Sequence, residues 1–458
     1  MAAMIGDAAS IPATSLYRTI WRWHFYAGLF VVPLVIVLSI TGIIYLFERE
    51  LDGLVYRNLL RTPAPVSQAI APSAQVDAAL AAHPGATVTR YEPPADPSAS
   101  ARIELTTADG QERAVFVDPG SGRILGELDP FWQLSELAVT IHGTLLIGDW
   151  GDRIVELAAC WCLLMVISGV YLWWPRGQRF TVWGTLLPRL RADGRTFWRD
   201  LHAVSGIWTA AVIGFLVITG LPWAGFWGDK LYTAAGWIGQ SYPAALWDDV
   251  PASTPLMKDV VADPGWTLQG APVPASTPGH EGPAPTLDTI VALATERGVP
   301  AGYRISYPKG ETGVWTITSW TDQRWDSVTI HVDRYSGAVL AAIPFDSFGA
   351  VAKAVEYGIV LHEGRFFGLA NQLVMLAAAL ALIVLPISGI VMWWRRRPQG
   401  LRLGAPPRPA DPRLTRGLIA LIVVLGILFP LLGLSLIVVV ALDQLVLRHV
   451  PALRRAFA

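Results

Sequence analysis

A chain of 458 residues that is 53% hydrophobic and only 16% charged, with positive mean hydropathy, carries too little polar surface for a soluble globule and points to a bilayer. A formal net charge of -1 argues against a nucleic-acid partner, which calls for a basic surface. The two cysteines, Cys160 and Cys162, stand in one apolar stretch where positions two apart on a helix point in different directions, so they read as buried packing rather than a disulfide.

About 20 helical residues cross the roughly 30 Å of bilayer hydrocarbon, and the chain offers five such stretches. The first, Trp21 to Phe47 within residues 1–47, is too long for a signal-peptide core of about 7 to 15 residues and is expected to remain as a transmembrane helix. Residues 48–130 follow as a polar segment in which Ala74 to Ala82 reads as a helix and Arg102 to Thr107 as a strand. Its run from Val117 through Asp118-Pro119-Gly120-Ser121-Gly122 to Leu125 reads as a hairpin. Residues 131–175 combine an outer helix with the second span, apolar from Ile154 to Trp174. A loop at 176–197 leads to the third span, Trp198 to Trp223. The second polar segment, 224–350, is longer. Its Pro/Gly-rich stretch from Asp263 to Pro285 reads as loop, Trp315 to Trp320 as a strand, and Val332 through Asp333-Arg334-Tyr335-Ser336-Gly337 to Leu340 as a second hairpin. An outer helix and fourth span fill 351–394, apolar from Leu369 to Trp394, and a loop follows at 395–416. The fifth span, Leu418 to Leu442 within 417–447, has too few residues for two crossings and is expected to be one helix bent at Pro430, ahead of a tail at 448–458.

Arginines set the orientation, because Lys and Arg in short loops stay cytoplasmic. Arg176, Arg179, Arg189, Arg191, Arg195 and Arg199 cluster between spans two and three, and Arg395, Arg396, Arg397, Arg402, Arg408, Arg413 and Arg416 between spans four and five. Both loops are therefore expected inside, with a cytoplasmic N-terminus and both large polar segments outside. Trp173-Trp174 and Trp393-Trp394 stand where an interfacial aromatic belt belongs. An odd number of spans would strand Arg448, Arg454 and Arg455 outside, which makes the fifth span the weakest element of this topology.

The sequence also repeats. His24 is followed after four residues by Gly28 and after seventeen by Thr41-Gly42, and His202 has Gly206 and Thr219-Gly220 at the same distances. His142 is followed after six residues by Gly148, after twenty-six by Ser168-Gly169 and after thirty-one by Trp173-Trp174. His362 reproduces those spacings with Gly368, Ser388-Gly389 and Trp393-Trp394. The fold class that follows is a mostly α, polytopic membrane protein. It is a duplicated unit of two transmembrane helices flanking a small α+β extracytoplasmic domain, plus a C-terminal transmembrane helix. The Thr-Gly and Ser-Gly pairs permit close approach of helix backbones, or leave room for a flat ligand between them.

Four of the eight histidines therefore occupy matched positions at span ends; the others are His83, His280, His331 and His449. Ionisable side chains at membrane depth are costly and mark function by default. Haem b takes two imidazoles from opposite faces of one iron in an apolar slot. His24 and His202, each a helical turn before a glycine, fit such a pair near the cytoplasmic side. His142 and His362, about 46 Å of helix from the Trp pairs, fit a second pair at or just beyond the outer face. Zinc or non-haem iron would call for clustered carboxylates or cysteines. Asp149, Asp152 and Glu363 near these histidines form no tight motif. A proton-coupled transporter would place its ionisable groups nearer the midplane.

Trp-x-x-His24 with Gly28, His142-Gly143-Thr144-Leu145-Leu146-Ile147-Gly148-Asp149, Ser168-Gly169-Val170-Tyr171-Leu172-Trp173-Trp174-Pro175-Arg176, Leu201-His202 with Gly206 and the Asp-x-x-Ser-Gly hairpins together resemble the PepSY-associated transmembrane family. That family includes iron-regulated inner-membrane proteins and haem-containing ferrisiderophore reductases. The resemblance covers nearly the whole chain, to about residue 440. It implies PepSY-like outer domains, a bacterial inner-membrane location, and two haem b groups with His24, His202, His142 and His362 as axial ligands. Electrons would cross the membrane to ferric iron held by a siderophore on the periplasmic side. The sequence departs from its own repeat at His362-Glu363-Gly364-Arg365, so the two outer histidines are expected in unequal surroundings. Some family members end in a flavin- and nicotinamide-binding domain. No Gly-x-Gly-x-x-Gly turn or phosphate loop occurs here, so the donor is expected to be separate, a membrane quinol or a cytoplasmic flavoprotein. The aromatics Trp247, Trp266, Tyr303, Tyr307, Trp315, Trp320, Trp325 and Tyr335 serve either to pack the second outer segment or to meet an organic chelate, and exposed Arg324 and Arg334 either attract an anionic chelate or are simply solvated. Two other functions stand beside it: a cytochrome b with another periplasmic acceptor and, implied by the PepSY resemblance alone, a non-redox membrane protein whose outer domains bind or regulate a partner.

Overall fold

Long runs of Leu, Val, Ile and Ala give four helices long and apolar enough to cross a membrane: α1 (Ser15–Leu46), α6 (Gly148–Trp173), α7 (Gly194–Gly220) and α11 (Leu369–Arg396). The computed structural model describes residues 15–176, 181–241, 252–256, 272–280, 282–397, 404–406, 416–442, 445–446 and 449–450. They fall into two units, one from Met1–Ile43, Ile141–Gly228 and Leu373–Ala458, the other from Ile44–Thr140 and Asp229–Gln372.

The first unit is the helical one. Asp193 starts α7 by accepting the Thr196 amide at 2.9 Å, which satisfies one of the amides that a helix N-terminus leaves bare. Val31, Val35, Cys162 and Ile213 from α1, α6 and α7 form one buried cluster. Both cysteines are free and buried.

The fifth apolar stretch departs from expectation. It is not one bent span but two short helices, α12 (Arg416–Leu428) and α13 (Pro430–Leu442). A Cβ added to Gly433 would lie 2.7 Å from the Gly426 carbonyl oxygen, whereas a continuous helix holds residues seven apart about 10 Å from each other. The chain therefore folds back on itself. Proline 430 has no amide to continue the ladder and disfavours helical backbone at Phe429, and the two glycines let the arms touch. Each arm has 13 residues, about 20 Å of helix, too short to cross hydrocarbon. Both arms contribute to a cluster of Cys160, Leu221, Leu425, Phe429 and Leu432, where Trp227 stacks on Phe429 with ring centres 6.1 Å apart.

α5 (Leu134–Thr144) meets α6 through a turn in which Leu145 and Leu146 take φ of 50° and 62° and Gly148 takes 59°. The return of the chain brings the Thr144 carbonyl so close to Gly151 that a Cβ there would sit 1.6 Å from its oxygen.

The second unit centres on a sheet. Strands β1 (Thr87–Glu92), β2 (Ala101–Thr106), β3 (Glu112–Val117) and β4 (Ile124–Leu128) form one antiparallel meander. β7 (Arg304–Ser306), β8 (Val314–Ser319), β9 (Val328–Asp333) and β10 (Val339–Pro344) form another. Two separate α+β units were the expectation from sequence. Instead β1 pairs with β7, with Arg90 opposite Ser306 and Tyr91 opposite Ile305, and the result is one eight-stranded sheet in the order β10-β9-β8-β7-β1-β2-β3-β4. Joining the edges hides two rows of backbone groups that would otherwise be unpaired. Both expected hairpins form, with Gly122 and Gly337 each at φ 72° in the turn, a conformation only glycine takes freely. Helices α4 (Pro72–Ala82) and α9 (Leu287–Glu296) close one core over the sheet through Val76, Ala79, Leu287, Ile290 and Ala294. The unit also holds α2 (Glu48–Val55), α3 (Arg57–Leu60), α10 (Ala350–His362), most of α8 (Trp227–Trp237), and a two-stranded pair of β5 (Ala252–Leu256) with β6 (Pro272–Pro274). Of the stretch expected to be loop, residues 263–271 and 281 lie outside the described residues, and β6 falls in the remainder.

Candidate functional site

His24 of α1 and His202 of α7 face each other in the first unit, with ring centres 6.4 Å apart and planes at 87°. Each ring is anchored by a different helix. His24 Nδ1 lies 2.8 Å from Ser168 Oγ on α6. His202 Nδ1 lies 3.0 Å from Ser388 Oγ and 3.0 Å from the Leu385 carbonyl on α11. The glycine after each serine makes room for the imidazole, since a Cβ on Gly169 would stand 3.4 Å from His24 Cε1 and one on Gly389 3.7 Å from His202 Cε1. Gly28 and Gly206, one turn beyond the histidines, admit side chains of the same two anchoring helices: added Cβ atoms would meet Met165 Cε at 3.3 Å and Leu385 Cδ2 at 3.4 Å. Small residues thus let α1 close on α6, and α7 on α11.

The third matched histidine repeats the device at another depth. His142, near the end of α5, sets Nδ1 3.1 Å from Thr41 Oγ1, and a Cβ on Gly42 would lie 3.4 Å from its Cε1. Gly42 is eighteen residues beyond His24 on α1, which is about 27 Å of helix. The two levels are therefore separated by nearly the thickness of bilayer hydrocarbon.

His362 closes α10 in the second unit, where Gly364 at φ 74° ends the helix and the Arg365 amide bonds the Val360 carbonyl. The departure from the repeat noted in the sequence creates a buried charge cluster beside it. Glu363 lies 3.6 Å from Arg365 and 4.0 Å from Arg324, Arg324 pairs with Glu356 at 3.3 Å, and Arg365 with Glu48 at 2.5 Å. Burial pushes the Glu48 carboxyl up to about 7 against the pull of Arg365. Burial also works against the Arg365 charge, but Glu363, Tyr45 and Glu48 hold the guanidinium above its ordinary range.

The chelate-attracting role considered for Arg324 is overturned by this placement: the residue is 8% exposed and committed to acidic neighbours. Arg334 donates to the Gly310 carbonyl and stacks on Tyr335. Among the aromatics, Tyr303 and Trp315 are buried in the sheet core and Trp325 is half exposed. Trp247 and Trp266 lie outside the described residues.

Two imidazoles 6.4 Å apart suit one metal between them. Two metal–nitrogen bonds of about 2 Å, with the distance from each nitrogen to its ring centre, give roughly 6 Å. Among the described residues no three or more His, Cys, Asp or Glu gather as a metal site, and the two facing imidazoles would offer haem iron a nitrogen each. The sequence reading did not identify Ser168, Ser388 and Thr41 as partners of the rings. Their signal was present in the Ser-Gly and Thr-Gly pairs, but a polar residue beside a glycine in a span is equally a packing device.

No curated protein matches the chain. The family model of the PepSY-associated TM region matches residues 21–396, which covers α1 from Trp21 on, the other three long apolar helices, His24, His202 and all eight strands of the large sheet. The chain therefore belongs to the PepSY-associated TM region family.

Proposed function

We propose that this protein is a di-haem b oxidoreductase of a bacterial inner membrane, carrying electrons outward to ferric iron held by siderophores in the periplasm. The observation that carries the reading is the pair His24 and His202, face to face at 6.4 Å with both Nδ1 atoms anchored elsewhere. These residues would hold the inner haem, and His142 with His362 the outer one. Haem supplies one-electron chemistry when bound. The protein supplies apolar surroundings, fixed rings and two levels of ligands.

Internal duplication accounts for this arrangement. α1 corresponds to α7 and α6 to α11, and the two meanders of the sheet correspond as PepSY-like halves. Each copy contributes one ligand at each level, so a single copy would hold no bis-histidine site. The arginine-rich loops support a cytoplasmic N-terminus with the sheet outside. A fold-back of α12 onto α13 returns the chain towards the side from which it came; Arg448, Arg454 and Arg455, on which the conflict of an odd span count rested, lie outside the described residues. The donor in this scheme is a separate quinol or flavoprotein.

The test is the optical spectrum of protein purified from membranes, oxidised and dithionite-reduced. A Soret band and a narrow α-band at two haems per chain are expected, halved by His24→Ala or His202→Ala. Absence of a Soret band would end the proposal. Stopped-flow mixing of the reduced protein with ferric siderophores then tests the acceptor, and failure of every chelate to reoxidise it would refute that part.

A further inference from the structure

The hydroxyls that touch the histidines have one hydrogen each, and their other partners show where it goes. Ser168 Oγ lies 2.7 Å from the Leu164 carbonyl, Thr41 Oγ1 2.9 Å from that of Val37, and Ser388 Oγ 2.9 Å from that of Leu385. A carbonyl only accepts, so a hydroxyl bonded to the carbonyl one turn back has spent its hydrogen and meets the imidazole as an acceptor. The ring nitrogen facing it must then donate. For His202 a second group enforces the same result, because the Leu385 carbonyl at 3.0 Å from Nδ1 also only accepts. All three rings therefore carry their proton on Nδ1 and present Nε2 as a lone pair.

We propose that Ser168, Ser388 and Thr41 are positioning residues that preset His24, His202 and His142 in the Nδ1–H tautomer and tune the iron each ring would hold. The tuning half rests on the haem reading above; the tautomer half does not. A metal-bound imidazole that donates through its other nitrogen gains electron density, which favours ferric over ferrous iron. The glycine that follows each hydroxyl is the second half of the device, since it lets the ring edge come within contact of the anchoring helix. The anchors are unequal. His24 depends on Ser168 alone for the Nδ1 bonds described, whereas His202 keeps the Leu385 carbonyl if Ser388 is lost.

This inequality gives the test. In haem-free full-length protein labelled with ¹⁵N-histidine, with signals assigned by difference against His24→Asn and His202→Asn, both rings are expected as Nδ1–H. Ser168→Ala should mix the tautomers of His24, and Ser388→Ala should leave His202 as Nδ1–H. In the haem-loaded protein, Ser168→Ala should weaken haem retention 10- to 100-fold. It should also move the ferric-to-ferrous balance of the inner haem about tenfold towards ferrous, an upward shift of about 59 mV. Ser388→Ala should do much less, and Ser168→Thr should restore both properties. Wild-type rings found as Nε2–H, or equal effects of the two alanine variants, would overturn the proposal. A wild-type chain that takes up no haem would defeat the functional reading and the tuning, while the nitrogen shifts would still decide the tautomer.

Discussion

His331 makes the stability of the sheet depend on pH in a way that can be calculated. It is 0% exposed on β9, its Nδ1 lies 3.0 Å from Thr316 Oγ1, and burial lowers its pKa from 6.5 to about 3. The unfolded chain takes up a proton near pH 6.5, while the folded ring stays neutral far below that. The stabilisation from keeping the ring neutral is thus complete above pH 6.5 and is lost as pH falls towards 3. At pH 5 the folded ring is still neutral, and protonation of the unfolded chain alone costs the sheet about 2 kcal/mol relative to pH 7. Native-state hydrogen exchange of the β8 and β9 amides, corrected for intrinsic rates, reads that difference directly. His331→Gln keeps a hydrogen-bonding group beside Thr316 but does not titrate, so its pH 7 to pH 5 loss should be smaller than that of the parent by about 2 kcal/mol. Equal losses in the two proteins would refute the assignment, because every other titrating group is common to both.

Three substitutions test other parts of the structure. Gly151→Ala places a Cβ 1.6 Å from the Thr144 oxygen, so the turn after His142 must open; under the di-haem proposal the expected result is loss of one haem of two, with the inner pair spectroscopically intact. Arg324→Met leaves Glu356, whose side chain is 1% exposed, and Glu363 beside it without that cation. Destabilisation of about 3–5 kcal/mol is expected in denaturant titrations of the outer unit. Gly433→Ala drives a methyl against the Gly426 backbone at 2.7 Å and should cost about 1–3 kcal/mol, seen as lower thermal resistance in detergent; Gly417→Ala, which meets nothing within 4 Å, is the matched control and should not lower it.

Local chemistry decided what could be read from the sequence. The four long spans follow from uninterrupted apolar length, a property of contiguous residues, and the hairpins follow from glycines 122 and 337 at the positions that need positive φ. What failed depended on distant partners. The same apolar content serves a crossing helix or two short arms, and only the contact of Gly426 with Gly433 separates them. Strands β1 and β7 are more than 200 residues apart in the chain, and neither announces the other. Arginine is a surface residue by default, so Arg324 reads as exposed until Glu356 and Glu363 are placed around it. The matched histidine spacings do lead to His24 and His202 on facing helices. The serines that orient them lie 144 and 186 positions away and become visible only when the helices pack.

The two ligand levels also bear on the energetics of the proposed transfer. Between them, α1 from residue 25 to 41, α7 from 203 to 219 and α11 from 373 to 387 contain no Asp, Glu, Lys or Arg, while α6 carries Asp152, Arg153 and Glu156 in its outer part and none from 157 to 167. Val31, Val35, Cys162 and Ile213 fill the interior. Glu156 and Asp152, in the outer part of α6, already accept the amides of Phe226 and Trp227 and of Gly225. From Glu156 inward to the His24–His202 pair no further Asp, Glu, Lys or Arg follows on these helices among the described residues, so no continuous row of such groups is there to carry a compensating proton and the electron's movement should be electrogenic. With about 27 Å of separation in about 30 Å of hydrocarbon, the electron feels nearly the whole membrane potential, about 2 kcal/mol per 100 mV. In proteoliposomes held at partial reduction, an imposed potassium diffusion potential of about 100 mV should therefore redistribute electrons between the two haems roughly thirtyfold. A distribution indifferent to the potential would mean either that both haems lie at one depth or that protons follow the electron by a path outside these helices; a parallel record of internal pH separates the two.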